Sequence, residues 1–440
     1  MDAQDIYPYY LSYSSICIDT RKIEPGDIFF CLQGNQVNGN AYAGEALEKG
    51  ASYVVMDQAP ENPDTFPMHK VFRVDDSLKT LQELSRIHRQ KLKIPVIGIT
   101  GSNGKTTTKE LVKSILSQKY EVFATEGNLN NHIGVPLSLL SIHPHYEMAV
   151  IEMGANHQKE IEFLCSLCLP DFGLITNIGK AHLEGFGGIE GVMKGKGELY
   201  THLKEKDGLA FVYTGDPRLM ELSGKLDRKL FYGTGTYEFI IGRILSEFPF
   251  LKIAWKDSVS EQPEVLAKTN LTGAYNLPNI LAGICIGTYF GLGTQEIVAG
   301  IEKYKPQNNR SQVKKTGSQD LILDFYNANP DSMKVALENF KNYPHAKKMV
   351  LLGDMFELGE DAEWEHRKIL ELVNSLQLEK KILIGPIFYS LKNDYPNLVF
   401  KKDTEEASHL LENQNWKDYA ILIKGSRGMK MENLLVFLHP

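Results

Sequence analysis

Thr100-Gly-Ser-Asn-Gly-Lys-Thr-Thr-Thr108 follows the apolar run Val96-Ile-Gly-Ile-Thr100 and opens a stretch with Leu111, Val112, Ile115 and Leu116 on one side. That pattern predicts a strand, a glycine-rich turn and a helix over Thr106–Gln118. Gly101 and Gly104 tolerate positive φ, so successive N–H groups can face one concavity that suits phosphate oxygens. Lys105 adds a full positive charge, the helix N-terminus a partial one, and Thr106 a hydroxyl for Mg²⁺. The strict Walker spacing is not met, because Ile99 stands where its first glycine belongs. An accidental Gly-Lys-Thr turn is the plainer alternative, but a strand before and a helix after argue against it. The anion these groups fit best is a nucleotide.

Outward from this loop, apolar strands alternate with helices. Met148–Met153 and Phe172–Asn177 read as neighbouring strands, while Tyr237–Trp255 reads as antiparallel β. Farther on, the strands Leu321–Asp324, Met349–Gly353, Lys381–Gly385 and Ala420–Lys424 alternate with helices over Asp331–Asn342 and Asp361–Ser375. Near-continuous apolar strands of this kind belong to parallel sheets covered on both faces. Toward the N-terminus come short runs at Ile28–Leu32 and Ala51–Met56, a helix over Ala41–Lys49 stopped by Gly50, and a polar loop over Ala59–Met68. A second helix over Ser77–Lys91 there has Leu78, Leu81, Leu84 and Ile87 on one face. The expected class is α/β in three domains. Residues 1–90 form a small N-terminal α/β domain, 91–305 a central P-loop parallel-sheet domain, and 306–440 a C-terminal Rossmann-like, doubly wound domain.

The chain has 440 residues, enough for two or three cores, and 42% apolar with 23% charged residues excludes a largely disordered chain. Lys+Arg 48 against Asp+Glu 55 gives −7, so no basic excess exists to hold nucleic acid or an anionic membrane. Met349–Leu352 and Leu434–Leu438, the longest apolar runs, are far too short to span a bilayer. The acidic first residues are not expected to be a secretory signal, and five cysteines in a chain this long point to reduced thiols and the cytoplasm. Cys165 and Cys168 read as buried thiols on a helix face, and His143 and His145 as solvated. Lys194, Lys196 and Lys204 would ordinarily form a solvated face, and Trp364 with the acidic run Glu357–Glu365 needs no special function.

Ligands of open parallel sheets bind beyond the C-terminal strand ends. Glu152 interrupts the apolar strand Val150-Ile-Glu-Met153, where a bare carboxylate is costly unless paired or metal-bound, and His182 follows the next strand. Each alone could be a helix cap or a satisfied loop histidine. Beside a phosphate loop they read as ligands of a nucleotide-bound Mg²⁺, although that ion prefers oxygen.

Asn128-Leu-Asn-Asn-His-Ile-Gly-Val-Pro136, Ile151-Glu-Met-Gly-Ala-Asn156 and Lys194-Gly-Lys-Gly-Glu198 accompany the loop, and together they resemble the central domain of the Mur ligases. These ATP-dependent amide-bond-forming enzymes build the peptide stem of bacterial cell-wall precursors. Asp324-Phe-Tyr-Asn-Ala-Asn-Pro-Asp-Ser-Met333, Leu352–Gly359 and Lys424-Gly-Ser-Arg427 resemble the members that add D-alanyl-D-alanine to a UDP-N-acetylmuramoyl tripeptide. The resemblance covers all three domains. It implies that Gly101, Ser102, Asn103, Gly104, Lys105, Thr106 and Thr107 hold the ATP phosphates, with Lys105 on the β/γ groups. It makes Lys105, Lys196, His182 and Glu152 the catalytic set, and Thr106, Glu152, His182 and a CO₂-carbamylated Lys196 the holders of two Mg²⁺ ions. Asn276, Asn279, Arg310 and Asp324 are implied to touch the nucleotide. Asn128, Asn130, Asn131, Tyr326, Asn327, Asn329, Lys424, Ser426 and Arg427 are implied to touch the peptide substrates. Transfer of the γ-phosphoryl to the tripeptide carboxylate would give an acyl phosphate, which the dipeptide amine then attacks. A monomer is the expected state.

Asp19-Thr-Arg21, Pro25–Phe29 and Ala41–Ala46 resemble the family's uridine-diphosphate module, which implies nucleotide-sugar contacts for Asp19, Thr20 and Arg21. One departure stands out: Asn38-Gly-Asn40 replaces the Asp-Gly-His common among relatives, losing an acidic acceptor and an imidazole. The rival readings are a diamino-acid-adding Mur ligase, a folylpolyglutamate synthase-like ligase and, from another class, a nucleotide-gated regulatory protein. The Asp324–Met333 string argues against the first two, and the switch reading leaves Glu152 and the third domain's polar strings unused.

Overall fold

A computed structural model describes the chain apart from residues 14, 35, 36, 61–63, 65, 260–262, 308, 318, 413, 439 and 440. Parts of the turn over Gly34–Gly39 and of the loop over Ala59–Met68 therefore lie outside the described residues. Three sheets of four, nine and six strands account for the three domains.

The first comprises α1 (Ala3–Tyr13), β1 (Ile16–Cys17), β2 (Ile28–Phe30), α2 (Ala43–Glu48), β3 (Tyr53–Met56), β4 (Val71–Arg73) and α3 (Ser77–Lys91). Its strands run parallel in the order β1-β2-β3-β4. Helix α1 escapes a sequence reading because Pro8 interrupts it, yet Ala3, Ile6 and Tyr10, spaced along one face, are all buried. The domain's core extends into its neighbour through Leu140.

The central domain follows with β5 (Val96–Thr100), α4 (Lys105–Leu116), β6 (Val122–Ala124), α5 (Gly134–Leu140), β7 (Met148–Glu152), α6 (Glu160–Cys168), β8 (Phe172–Ile175), α7 (Leu183–Phe186), α8 (Ile189–Glu205), β9 (Leu209–Tyr213), α9 (Pro217–Ser223), β10 (Lys229–Gly233), β11 (Ile240–Ser246), β12 (Lys252–Asp257), β13 (Val265–Lys268), α10 (Leu277–Tyr289) and α11 (Thr294–Lys303). The strand order is β13-β12-β11-β10-β9-β8-β5-β7-β6. The antiparallel β expected over Tyr237–Trp255 is present: β11 pairs antiparallel with β12, and β12 with β13, at one edge of the otherwise parallel sheet. On its other side β11 pairs parallel with β10, which strand composition alone does not reveal. The phosphate loop leaves β5, a central strand flanked by β7 and β8, so Glu152 and the His182 loop emerge on either side of it.

The third domain holds β14 (Gln312–Thr316), β15 (Gln319–Asp324), α12 (Pro330–Lys341), β16 (Lys348–Gly353), α13 (Ala362–Ser375), β17 (Lys380–Ile384), α14 (Pro386–Ser390), β18 (Val399–Lys401), α15 (Thr404–Leu411) and β19 (Ala420–Lys424). Only β14 is antiparallel in the order β14-β15-β19-β16-β17-β18. The adjacent strands β15 and β19 put Asp324 and Lys424 opposite each other at their C-terminal ends.

The first two domains are joined tightly. Tyr10 donates to the Leu140 carbonyl at 2.6 Å, and His88 Nε2 to that of Ile142 at 2.9 Å. Arg89 donates to the carbonyls of Cys168 and Leu169, at 2.7 and 2.8 Å, and to the Asp171 carboxylate at 2.9 Å.

Candidate active site

A cleft of about 900 Å³ runs from the phosphate loop to the C-terminal domain. Gly101 has φ +138° and its place for a Cβ lies 2.0 Å from Thr176 Oγ1, so only glycine fits there. Gly104, with φ +78°, packs against the Asn279 side chain, whose Oδ1 lies 2.9 Å from the place for a Cβ. Two of the loop's N–H groups are already engaged. Ser102 N donates to the Asn177 carbonyl and Asn103 N to its side-chain oxygen, both at 3.0 Å. These bonds brace the loop against the chain after β8. The first-turn N–H groups of α4 have no intrahelical acceptors and are open to an anion. Lys105 Nζ folds back onto the carbonyls of Gly101 and Ser102 at 2.8 and 3.2 Å, and desolvation in the cleft lowers its pKa against the opposing pull of Glu152.

Glu152 is 1% exposed and accepts from Thr106 Oγ1 at 2.8 Å and Asn130 Nδ2 at 2.7 Å. Among the described residues it makes no ion pair. A buried carboxylate beside a hydroxyl, with only neutral donors on it, is an oxygen donor set that suits a hard divalent cation. No group of three His, Cys, Asp or Glu side chains among the described residues could hold a metal unaided. Mg²⁺ is commonly held by one or two carboxylates together with substrate phosphates and water.

Lys196 lies in α8 and is wholly buried, so its assignment to a solvated face is wrong. Its Nζ donates to the Ala155 carbonyl at 2.9 Å and lies 4.9 Å from the Phe186 ring centroid. Burial, and then the like charge of Lys105, drives its pKa well below the lysine range.

His182 Nδ1 faces Glu357 Oε2 of the C-terminal domain at 2.5 Å. The acidic run is therefore not idle: Lys180 Nζ pairs with Glu365 at 2.5 Å, and Lys180 N donates to Asp331 at 2.7 Å. Asn329, expected beside the dipeptide, caps α12 and donates to Asn103 Oδ1 of the phosphate loop at 2.7 Å.

Asn279 takes a hydrogen bond from Thr108 and donates to Asn276, which anchors to the Thr272 carbonyl. Asp324 accepts from Lys424 Nζ at 2.6 Å and Ser311 N at 3.0 Å, and Ser311 in turn meets Tyr275 OH at 3.0 Å. Arg310 stacks 3.5 Å over Tyr326, with Arg427 near the same ring at 5.3 Å. Asn131 and Asn327 also line the cleft. Asn128, Ser426 and Arg427 do not, and buried Ser426 instead accepts from Phe356 N at 2.9 Å. Asp19, Thr20 and Arg21 lie in the first domain, outside the cleft lining, where Arg21 pairs with Asp19 at 2.7 Å and holds that carboxyl at about 2. In the departing Asn38-Gly-Asn40 string, Asn40 donates to Asp57 and Asn38 to Gln58, both at 2.8 Å. Sequence reasoning missed Lys180, Asn177, Asp331 and the acidic run as interdomain partners. Asp331 and Glu357 carried a signal, since they lie within the quoted Asp324–Met333 and Leu352–Gly359 strings.

Three family models tile the chain: "Mur ligase family, catalytic domain" over 12–89, "Mur ligase middle domain" over 99–287, and "Mur ligase, glutamate ligase domain" over 309–427. The UDP-N-acetylmuramoyl-tripeptide–D-alanyl-D-alanine ligase of Bacillus subtilis (strain 168) is 35% identical over 436 residues, covering 96% of this chain and 92% of the relative. This chain belongs to the Mur ligase family. Among solved structures, MurF from Acinetobacter baumannii superposes on this Mur ligase with a TM-score of 0.86 at 28% identity, covering 99% of this chain and 98% of the other. MurF ligase from Thermotoga maritima in complex with ADP gives 0.84 at 28% identity and 97% of both chains. Among the described residues no helix of this Mur ligase is long and apolar enough to cross a membrane.

Proposed function

We propose that this Mur ligase joins D-alanyl-D-alanine to the terminal carboxylate of a UDP-N-acetylmuramoyl tripeptide, converting ATP to ADP and phosphate. The observation that carries this reading is one cleft lined by the phosphate loop, Glu152 and the third domain's Asp324–Lys424 pair, in a chain similar along its length to ligases of that name. Carboxylate and amine do not condense unaided in water, because the leaving oxygen is poor. Moving the γ-phosphoryl of ATP onto the tripeptide carboxylate makes an acyl phosphate; the dipeptide amine attacks its carbonyl carbon, loses a proton, and phosphate leaves.

The chain's residues position and neutralise. Gly101–Thr107 cradle the triphosphate, and Lys105 turns from the Gly101 and Ser102 carbonyls to the β/γ oxygens. Thr106, Glu152, His182 and Lys196 as its carbamate hold two Mg²⁺ ions, which when bound offset charge on the transferring group. Asn276, Asn279, Arg310 and Asp324 seat the nucleotide. Asn128, Asn130, Asn131, Tyr326, Asn327, Asn329, Lys424, Ser426 and Arg427 serve the peptide substrates, with Asn128, Ser426 and Arg427 acting from outside the cleft wall. The first domain, with Asp19, Thr20 and Arg21, holds the uridine diphosphate end. Closure of the third domain shields the acyl phosphate from water. A monomer in the cytoplasm suffices, since one chain supplies the whole cleft and its cysteines are buried free thiols. The test is phosphate release from ATP, which must require both the UDP-muramoyl tripeptide and D-Ala-D-Ala. Release with either omitted, or with another amine in place of the dipeptide, sinks the assignment.

A further inference from the structure

Glu357 has no task in the chemistry above, yet its carboxylate crosses a domain boundary to meet His182 at 2.5 Å. We propose that Glu357 is a positioning residue, carried by the C-terminal domain, that fixes the tautomer of His182 and so completes the metal site only when that domain is docked. The inference rests on the ligase reading and on His182 as a metal ligand.

Four features support it. The two atoms are in contact without hydrogen-bond alignment, and because a carboxylate only accepts, the small ring rotation that makes the bond puts the proton on Nδ1 and leaves Nε2 as the basic nitrogen, the state a metal-binding imidazole needs. The loop bearing Glu357 is held firmly on its own side. Asp354 accepts from the N–H groups of Ile387 and Phe388 at 2.8 and 2.9 Å, His366 Nε2 accepts from Met355 N at 3.0 Å, and Ser426 Oγ accepts from Phe356 N. Both partners also stand in left-handed backbone, His182 at φ +54° and Glu357 at φ +62°, a conformation that non-glycine residues keep only where surroundings impose it. The contact sits within a wider grip on the same chain segment, made by Asp331 and Glu365 on Lys180 and by Asn329 on Asn103. All four C-terminal residues thus hold the phosphate loop or the turn that follows β8. The bland reading is a half-exposed ion pair of little consequence.

The two readings separate by Mn²⁺ binding to the full-length chain in the presence of ADP, followed by electron paramagnetic resonance. Glu357→Ala is expected to weaken Mn²⁺ about tenfold, in line with the loss of an outer-shell partner, with metal-free ADP affinity unchanged. Glu357→Gln, whose carbonyl still accepts from Nδ1–H, should recover most of the loss. Nitrogen NMR of the His182 ring should report the Nδ1–H tautomer in wild type and Glu357→Gln, and a mixture in Glu357→Ala. Wild-type Mn²⁺ affinity and an unchanged tautomer in Glu357→Ala overturn the inference alone. A wild-type chain that binds no Mn²⁺ with ADP present overturns the ligase reading and this inference with it.

Discussion

At the scale of single residues, the two lysines of the site illustrate opposite legibility. Lys105 was readable because its motif states its chemistry: a cation behind two glycines at a helix start has few other uses. Lys105→Ala should abolish phosphate release while leaving the circular dichroism spectrum and melting temperature near the parent values; a turnover rate matching wild type would refute its role. Lys196 was unreadable from composition, because a lysine among Lys194 and Lys204 looks like a wet helix face. The missed signal is its two glycine neighbours. A Cβ on Gly195 would meet the Phe186 ring at 2.5 Å, and one on Gly197 the Leu222 side chain at 2.9 Å, so the helix packs tightly at this turn and buries what lies between. Burial lowers the native pKa of Lys196 below that of the unfolded chain, so between the two the unfolded state binds the extra proton. Its burial therefore costs stability near neutral pH, and the cost shrinks as pH rises toward the ordinary lysine range. Lys196→Met, of similar length and apolar, is expected to be inactive yet no less stable than the parent in CO₂-free buffer at pH 7, as a urea midpoint would show.

Elements were legible where periodicity and punctuation agreed. Strand β5 and helix α3 fall where the apolar runs and end signals place them, and β19 matches its four-residue apolar core. Where a proline interrupts the pattern, as in α1, or where pairing direction is decided by a distant partner, as in β10–β11, local sequence has no handle. The turn after β16 shows another kind of hidden order. Asp354 and His366 are fully buried 3.6 Å apart, burial raising the carboxyl to about 6 and lowering the imidazole to about 4. Their linkages oppose each other. Asp354 takes a proton more readily in the native state, so its share of stability falls as pH climbs toward 6. His366 resists a proton the unfolded chain accepts, so its share rises over much the same interval. Asp354→Asn removes the falling share, and stability should then climb with pH between about 4 and 6 more steeply than in the parent, by roughly 2 kcal/mol across the window. Urea midpoints at stepped pH, followed by tryptophan fluorescence, check this; parallel curves would show that the pair carries no such balance.

For the whole molecule, the three-domain plan was visible as three blocks of strands, but the joints between them were not, since interdomain contacts leave no periodic trace. Two joints differ in kind. Between the first and central domains, Tyr10, His88 and Arg89 reach main-chain carbonyls beside a shared apolar core, whereas the C-terminal domain adds to its apolar contact with the central domain a set of polar side chains that grip the loops of the site. Arg89→Ala removes the donor from four acceptors, two of them carbonyls at the end of α6, and should cost about 3 kcal/mol, seen as a lower melting temperature with earlier loss of the first domain's hydrogen-exchange protection. The unequal joints have a mechanical corollary. With two thirds of the protein behaving as one solid frame, adding nucleotide should leave a fluorophore pair placed on α2 and α9 reporting a constant separation. A pair on α9 and α15 should shorten as the C-terminal domain closes on the nucleotide.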